Sequence, residues 1–403
     1  MLQGLTAVIV MGVYAAIAVG RVPHLRMNRA TIALIGAALL VLIGAIHEED
    51  AYQAIDMGTI LLLGAMMVIN VNLRLSGFFQ LVANRTLQLA HTPRALLALV
   101  IASSGVLSAI FLNDPICLML TPLIIDLTRR LERNPLPYLV GLATAANVGS
   151  TATITGNPQN MIIGQASQIP YVTFLLYLGP VALVGLVICW LVIVWVYPQE
   201  FSGKLPIVTP PPIRIYRPLL SRVLFIVLGL MIAFLIGVPV VTTACVAAAL
   251  LLISRLNPSK LLHLEWDLLA FFAGLFVITG ALTTTGLSAR LFEWTAPVLQ
   301  ESILSFSLVV GVLSNIVSNV PAVLLLRSEI ASFADPQQTW LALAMASTLA
   351  GNLTLLGSAA TLIVAEVART HGARLEFGSY LRAGIPITIL TLAFGMIWLE
   401  WVF

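Results

Sequence analysis

The sequence predicts an all-α polytopic membrane protein, an inverted-topology repeat with two re-entrant hairpins and two interrupted transmembrane helices. Three observations carry this. The 403 residues are 60% hydrophobic and only 9% charged, with a mean hydropathy of +1.03, whereas a soluble domain carries about 25% charged residues. The basic residues collect in alternate loops. Three blocks of sequence recur in the same order in the two halves.

A bilayer core about 30 Å thick takes about 20 apolar residues to cross as a helix. On that rule spans are expected near 4–20, 30–47, 57–73, 173–197, 218–236, 239–254, 267–286 and 381–400. Residues 1–20 lack a basic leading segment and a small-residue cleavage site, so they read as a first span and not a removed signal. Residues 95–112 and 115–128 are two apolar arms meeting at Asn113-Asp114-Pro115, and the second arm looks too short to span. Residues 303–318 and 321–333 meet in the same way at Asn319-Val320-Pro321. The runs 137–166 and 340–367 are each broken midway by a Gly/Asn/Thr cluster.

Seventeen of the 20 Lys and Arg residues fall in one set of loops: Arg21, Arg26, Arg29; Arg85, Arg94; Arg129, Arg130, Arg133; Lys204, Arg214, Arg217, Arg222; Arg255, Lys260; Arg369, Arg374, Arg382. The positive-inside rule places these in the cytoplasm. Both termini then lie on the non-cytoplasmic side, as expected for a bacterial-type inner membrane. The hairpin at 95–128 enters from the cytoplasm, and the one at 303–333, flanked by Glu301 and Asp335, enters from outside. The other acidic residues and the five histidines sit at segment ends or in loops. Residues 56–77, 113–115 and 142–164 parallel 266–287, 319–321 and 343–365. Similar segments in opposite orientation mark many secondary transporters. The expected organisation is a first repeat at 1–197, a cytoplasmic linker at 198–217 containing Pro210-Pro211-Pro212, and a second repeat at 218–403.

Broken backbone at membrane depth is tolerated only where protein buries it or it lines a cavity. Half-helix starts offer free N–H groups to anions, and half-helix ends offer carbonyls to cations. The candidate substrate- and ion-binding residues are therefore Asn113, Asp114, Ser150, Thr151, Thr153, Thr155, Gly156, Asn157, Pro158 and Asn160 in the first half. Their counterparts are Ser318, Asn319, Pro321, Gly351, Asn352, Thr354, Gly357, Ser358 and Thr361 in the second. Asp114 stands apart as a carboxylate at membrane depth, where a charge costs about 2.5–3.5 kcal/mol on insertion scales, and it is the expected coupling group. Cys117, Cys189 and Cys245 are far apart and show no ligand spacing, so no disulfide framework or metal site is expected.

Leu112-Asn113-Asp114 followed by Thr121-Pro122, Ser318-Asn319-Val320-Pro321 and Gly156-Asn157-Pro158-Gln159-Asn160 resemble the hairpin-tip and downstream motifs of the ion transporter superfamily. That group holds citrate and dicarboxylate/sodium symporters, arsenite permeases and a class of Na⁺/H⁺ antiporters. The dicarboxylate carriers often show Ser-Asn-Thr and Gly-Thr-Pro-Pro-Asn; only the Asn is kept at both tips here, and Asn113-Asp114 with Thr121-Pro122 and Ser318-Asn319-Val320-Pro321 look closer to the arsenite-permease and antiporter branch. The resemblance spans nearly the whole chain and is compatible with a homodimer.

The expected function is secondary active transport of a small anion, a carboxylate or inorganic oxyanion, by alternating access. Na⁺ or H⁺ is the coupling ion, with Na⁺ at most a transient guest. A Na⁺/H⁺ antiporter and an arsenite efflux permease are the alternatives. A channel ranks last, because an ionisable Asp114 suits ion coupling better than neutral permeation. No nucleophile–base pair points to an enzyme, and no cofactor or nucleic acid is expected; the partners are the lipid bilayer and the solute.

Overall fold

The structure is a computed structural model that describes residues 2–19, 27–206, 208, 212–253 and 264–403. Arg21, His24, Arg26, Pro210, Pro211, Arg255, Lys260 and His263 of the sequence reading lie outside the described residues. The first half runs α1 (Leu2–Val19), α2 (Arg29–Leu42), α3 (Glu48–Ala54), α4 (Met57–Ser76), α5 (Phe78–Leu89), α6 (Pro93–Ile110), α7 (Asn113–Arg130), α8 (Pro135–Ser150), α9 (Pro158–Ser167) and α10 (Tyr171–Val196). The second runs α11 (Arg217–Leu235), α12 (Val240–Leu252), α13 (Trp266–Thr284), α14 (Leu287–Leu299), α15 (Ile303–Val317), α16 (Asn319–Leu326), α17 (Pro336–Leu349), α18 (Ala359–Thr370) and α19 (Phe377–Val402). Among the described residues, six helices, α4, α6, α10, α11, α13 and α19, are long and apolar enough to cross a membrane by length and composition.

All eight expected spans form helices. The hairpins are α6–α7 and α15–α16, and the interrupted helices are α8–α9 and α17–α18. Packing follows the repeat. Helix α2 lies on α13, and α12 lies on α4; α10 and α19 pack on each other. Helix α7 packs on α18, and α16 on α9. The polar breaks therefore meet between the halves, and buried residues concentrate in α7, α8, α9 and α17.

Three details differ from the sequence reading. Helices α3, α5 and α14 were not expected. The last two are short and amphipathic, each following a left-handed glycine, Gly77 (φ 83°) and Gly286 (φ 72°), that turns the chain out of the preceding span. The second arm of the first hairpin is not short: α7 has 18 residues, about 27 Å of helix. Asn113 and Asp114 join its first turn, where Pro115 lacks only an N–H that would have no partner in the helix. Helix α16 is shorter than expected, at 8 residues, and a 3₁₀ turn at Ile330–Ser332 follows it.

Glycine lets α6 and α8 touch backbone to backbone. A Cβ on Gly149 would lie 2.1 Å from the carbonyl oxygen of Gly105, and backbone cannot yield as a side-chain tip can. Gly149→Ala is expected to cost about 1–3 kcal/mol, seen as a lower Tm of the purified protein in detergent. An unchanged Tm would mean that the two helices separate freely.

Candidate functional site

Each interrupted helix restarts on a capping side chain. Asn157 Oδ1 accepts the N–H of Asn160 at 2.8 Å, and Ser358 Oγ accepts that of Thr361 at 3.2 Å. Pro158 follows Asn157 at the first helical position, where its fixed φ suits the helix start. The breaks close tightly at matching glycines. A Cβ on Gly156 would meet the Ser150 carbonyl at 2.3 Å, and one on Gly357 the Gly351 carbonyl at 2.9 Å.

The hairpin tips grip these breaks. The Asn113 N–H donates to the Gly156 carbonyl at 3.0 Å. The Asn319 side-chain nitrogen donates to the carbonyls of Ser347 and Gly357, both at 3.1 Å. Ser318 takes φ 79° and ψ 160°, a region nearly reserved for glycine and costing about 1–3 kcal/mol, so strain is stored at the second tip. Pro321 lies in the buried first turns of α16.

Across the halves the breaks exchange hydrogen bonds. Asn147 Nδ2 donates to Asn352 Oδ1 at 2.9 Å and Ser358 Oγ at 2.8 Å, and Asn147 Oδ1 accepts from Asn113 Nδ2 at 3.2 Å. In the opposite sense, Asn157 Nδ2 donates to Thr348 Oγ1 at 3.3 Å, joined by Gln159 Nε2 at 3.1 Å. Asn147 and Thr348 each precede their own break by the same interval, ten residues before Asn157 and Ser358. A buried asparagine or threonine left without such partners would cost about 1–3 kcal/mol, so the network fixes how the two halves meet.

Of the predicted site residues, Asn113, Ser150, Asn157, Asn160, Asn319, Gly351, Asn352, Gly357, Ser358 and Thr361 come together in this knot. Thr153 turns away and donates to the Ala109 carbonyl of α6. Thr155 meets the Tyr171 hydroxyl at 3.5 Å. Thr151 returns its hydroxyl to the Asn147 carbonyl at 3.2 Å, and Thr354 is half-buried in the second break. The sequence reading missed Asn147, Gln159 and Thr348. Asn147 and Gln159 carried a signal, a long amide side chain inside an apolar run.

Asp114 faces a different place. It is 7% exposed and lines a cavity of about 1080 Å³, together with the exposed residues Trp266, Arg374 and Glu376. Leu356 and Ala359 bring the second break to the same cavity. Three arginines (Arg29, Arg369, Arg374) and five carboxylates (Asp114, Glu265, Asp267, Glu366, Glu376) line it. Asp114 senses the charges of Arg29 and Glu265, both unrecognised from sequence because each sits at a segment end. Asp114 also lies in the first turn of α7, whose N-terminal dipole favours a negative charge. Burial holds the Glu265 carboxyl above the usual carboxylate range, and Arg74 opposes that. No cluster of three metal-ligating side chains occurs among the described residues.

The silicon efflux transporter LSI3 of Oryza sativa subsp. japonica is 30% identical over 93% of this chain and 93% of its own. A 46 kDa membrane protein of Mycobacterium leprae is 31% identical over 93% and 94%. Among solved structures, the Alcanivorax borkumensis YdaH transporter shares the fold with a TM-score of 0.59 at 15% identity, covering 100% of this chain and 98% of that one. Residues 8–350 match the citrate transporter family, CitMHS. With its paired hairpins, its paired broken helices and a family match across most of its length, this chain is an integral membrane transporter and belongs to the citrate transporter family.

Proposed function

We propose that this protein is a secondary active transporter that moves a small oxygen-rich solute by alternating access, with Asp114 as the coupling carboxylate. The observation that carries the reading is the position of Asp114. It is a buried acid lining the large cavity, one residue from Asn113 at the hairpin tip that holds the broken helices together. Basic residues rim that cavity, so by the positive-inside rule it opens to the cytoplasm, with both termini outside. The repeats are 1–197 and 218–403, joined by the cytoplasmic linker 198–217. The solute binds among the tip and break residues, where half-helix starts present N–H groups. In this reading a proton is the coupling ion taken by Asp114, with Arg29 and Glu265 lining the same cavity.

The family points to an anion, a carboxylate or inorganic oxyanion. One observation favours a second reading. With every group ionised, the cavity lining carries more negative than positive charge, which disfavours entry of a di- or tricarboxylate and admits an undissociated oxyacid. The silicon efflux function named for the Oryza relative agrees with that chemistry.

A thermal-shift screen of the purified protein with Na⁺, Li⁺, citrate, succinate, sulfate, phosphate, arsenite and silicic acid tests both. A ligand at 100 times its Kd stabilises by about 2.7 kcal/mol, a clear rise in Tm. Stabilisation by arsenite or silicic acid supports the oxyacid reading, and stabilisation by citrate alone overturns it. Na⁺ movement driven by a pH gradient in vesicles holding no other solute would replace both with antiport.

A further inference from the structure

Beside the large cavity lies a small one of about 30 Å³ that transport through Asp114 alone leaves unused. Asn70 and Arg74 of α4, Pro115 and Leu118 of α7, and Glu265 line it. Asn70 is 5% exposed, and neither its amide nitrogen nor its amide oxygen has a hydrogen-bond partner. Leaving such a group unsatisfied is unfavourable, and a polar cavity of this size takes about one water. Asn70 and Arg74 are four residues apart on α4, and so share a face. Asp114 and Leu118 are likewise four apart on α7, so the hairpin face that carries Asp114 is the one turned to Glu265. Glu265 lines both cavities and stands between them.

A cation accompanies each carboxylate: Arg29 lines the large cavity with Asp114, and Arg74 lines the small one with Glu265. A negative charge can therefore rest at either position with compensation. Among the described residues, the other charged groups lining the shared cavity are Asp267 on α13, Glu366 and Arg369 on α18, and Arg374 and Glu376 before α19.

We propose that Glu265 is a second proton-carrying carboxylate of the transport cycle, passing protons between the cytoplasmic cavity and Asp114, with Asn70 and a water in the small cavity fixing its geometry. In the transfer, the O–H bond on Glu265 breaks and an O–H bond forms on Asp114. The negative charge moves to Glu265, where Arg74 meets it, and water in the large cavity then reprotonates Glu265. The proposal rests on Asp114 as the coupling group.

The decisive measurement is pH-difference infrared spectroscopy of the reconstituted full chain, which needs no substrate. Lowering the pH from about 8 to about 5, a range into which buried carboxylates are moved, is expected to raise a protonated-carboxyl stretch in the wild type. Asp114 and Glu265 each contribute a component; Glu265→Gln removes one and keeps that of Asp114. In Asp114→Asn the Glu265 component persists but appears at lower pH, because a repelling neighbour is gone. A spectrum that Glu265→Gln leaves unchanged means that Glu265 is a fixed ionic partner of Arg74, and the proposal fails. In vesicles loaded with a pH dye and given an arsenous acid gradient, Glu265→Gln is expected to slow proton-coupled flux about tenfold. Exchange at equal pH stays near the wild-type rate, and Glu265→Asp recovers part of the loss. Wild-type coupled flux in Glu265→Gln overturns the relay. Wild-type flux in Asp114→Asn instead overturns the role of Asp114, a separate result.

Discussion

Asp114→Asn is expected to abolish ion-coupled transport while leaving the protein inserted and folded. The substitution keeps the size of the side chain and removes the group that exchanges a proton. Removing a positioned proton-transfer group typically costs about 10²–10⁴ in rate, so flux should fall to background. Stability should hold. The charge lost is a buried one, costly to keep ionised, and Leu112, not Asp114, occupies the N-cap of α7, with no side-chain cap bond for the substitution to remove. Asp114→Glu, which restores the acid with a longer reach, should recover a fraction of the flux. The measurement is uptake into vesicles of equal protein content, with the elution profile in detergent as the folding control. A variant that transports at the wild-type rate would remove Asp114 from the coupling path.

Asn147→Leu should have the largest effect on stability. Asn147 joins three groups that the chain brings from far apart: Asn113 at the first hairpin tip, and Asn352 and Ser358 at the second break. Leucine fills a similar volume but leaves buried amide groups of Asn113 and Asn352 without their partner. Asn352 still donates to the Thr144 carbonyl and Ser358 still bonds Thr361, so the expected loss is roughly 2–4 kcal/mol, read from Tm in detergent, with transport lost as well. Thr348→Val is the matched comparison. It removes the bonds from Asn157 and Gln159 in the opposite sense, but Asn157 keeps Ser150, so a smaller loss of about 1–2 kcal/mol is expected. Equal effects of the two variants would mean that apolar packing, and not this asymmetric knot, holds the halves together.

Much of the architecture was legible in the chain. The spans, the two hairpins and the two breaks follow from local properties: runs of apolar residues, proline and asparagine at the tips, and glycine with serine and threonine at the interruptions. The tip asparagines, Asn113 and Asn319, and the restart residues Asn157 and Ser358 were found for the same reason, because each marks its place by interrupting a hydrophobic run. The amphipathic helices α5 and α14 escaped, since a mixed composition at an interface resembles a loop when only hydropathy is read. The length of α7 escaped because a polar first turn looks like the end of a segment until its helical hydrogen bonds are seen.

Which residues meet was decided by the tertiary structure. Asn147 and Asn352 are 205 positions apart, and nothing local says that one amide completes the other. Arg29 and Glu265 looked like ordinary segment ends facing water; packing α2 against α13 beside the first hairpin brings them into the cavity of Asp114. By itself, the sequence determined where the backbone must break and which acid is buried in the protein, because hydropathy and backbone hydrogen bonding act over a few residues. The partners of those groups depend on which helices pack together, and electrostatic and hydrogen-bonding neighbours are properties of space and not of chain position.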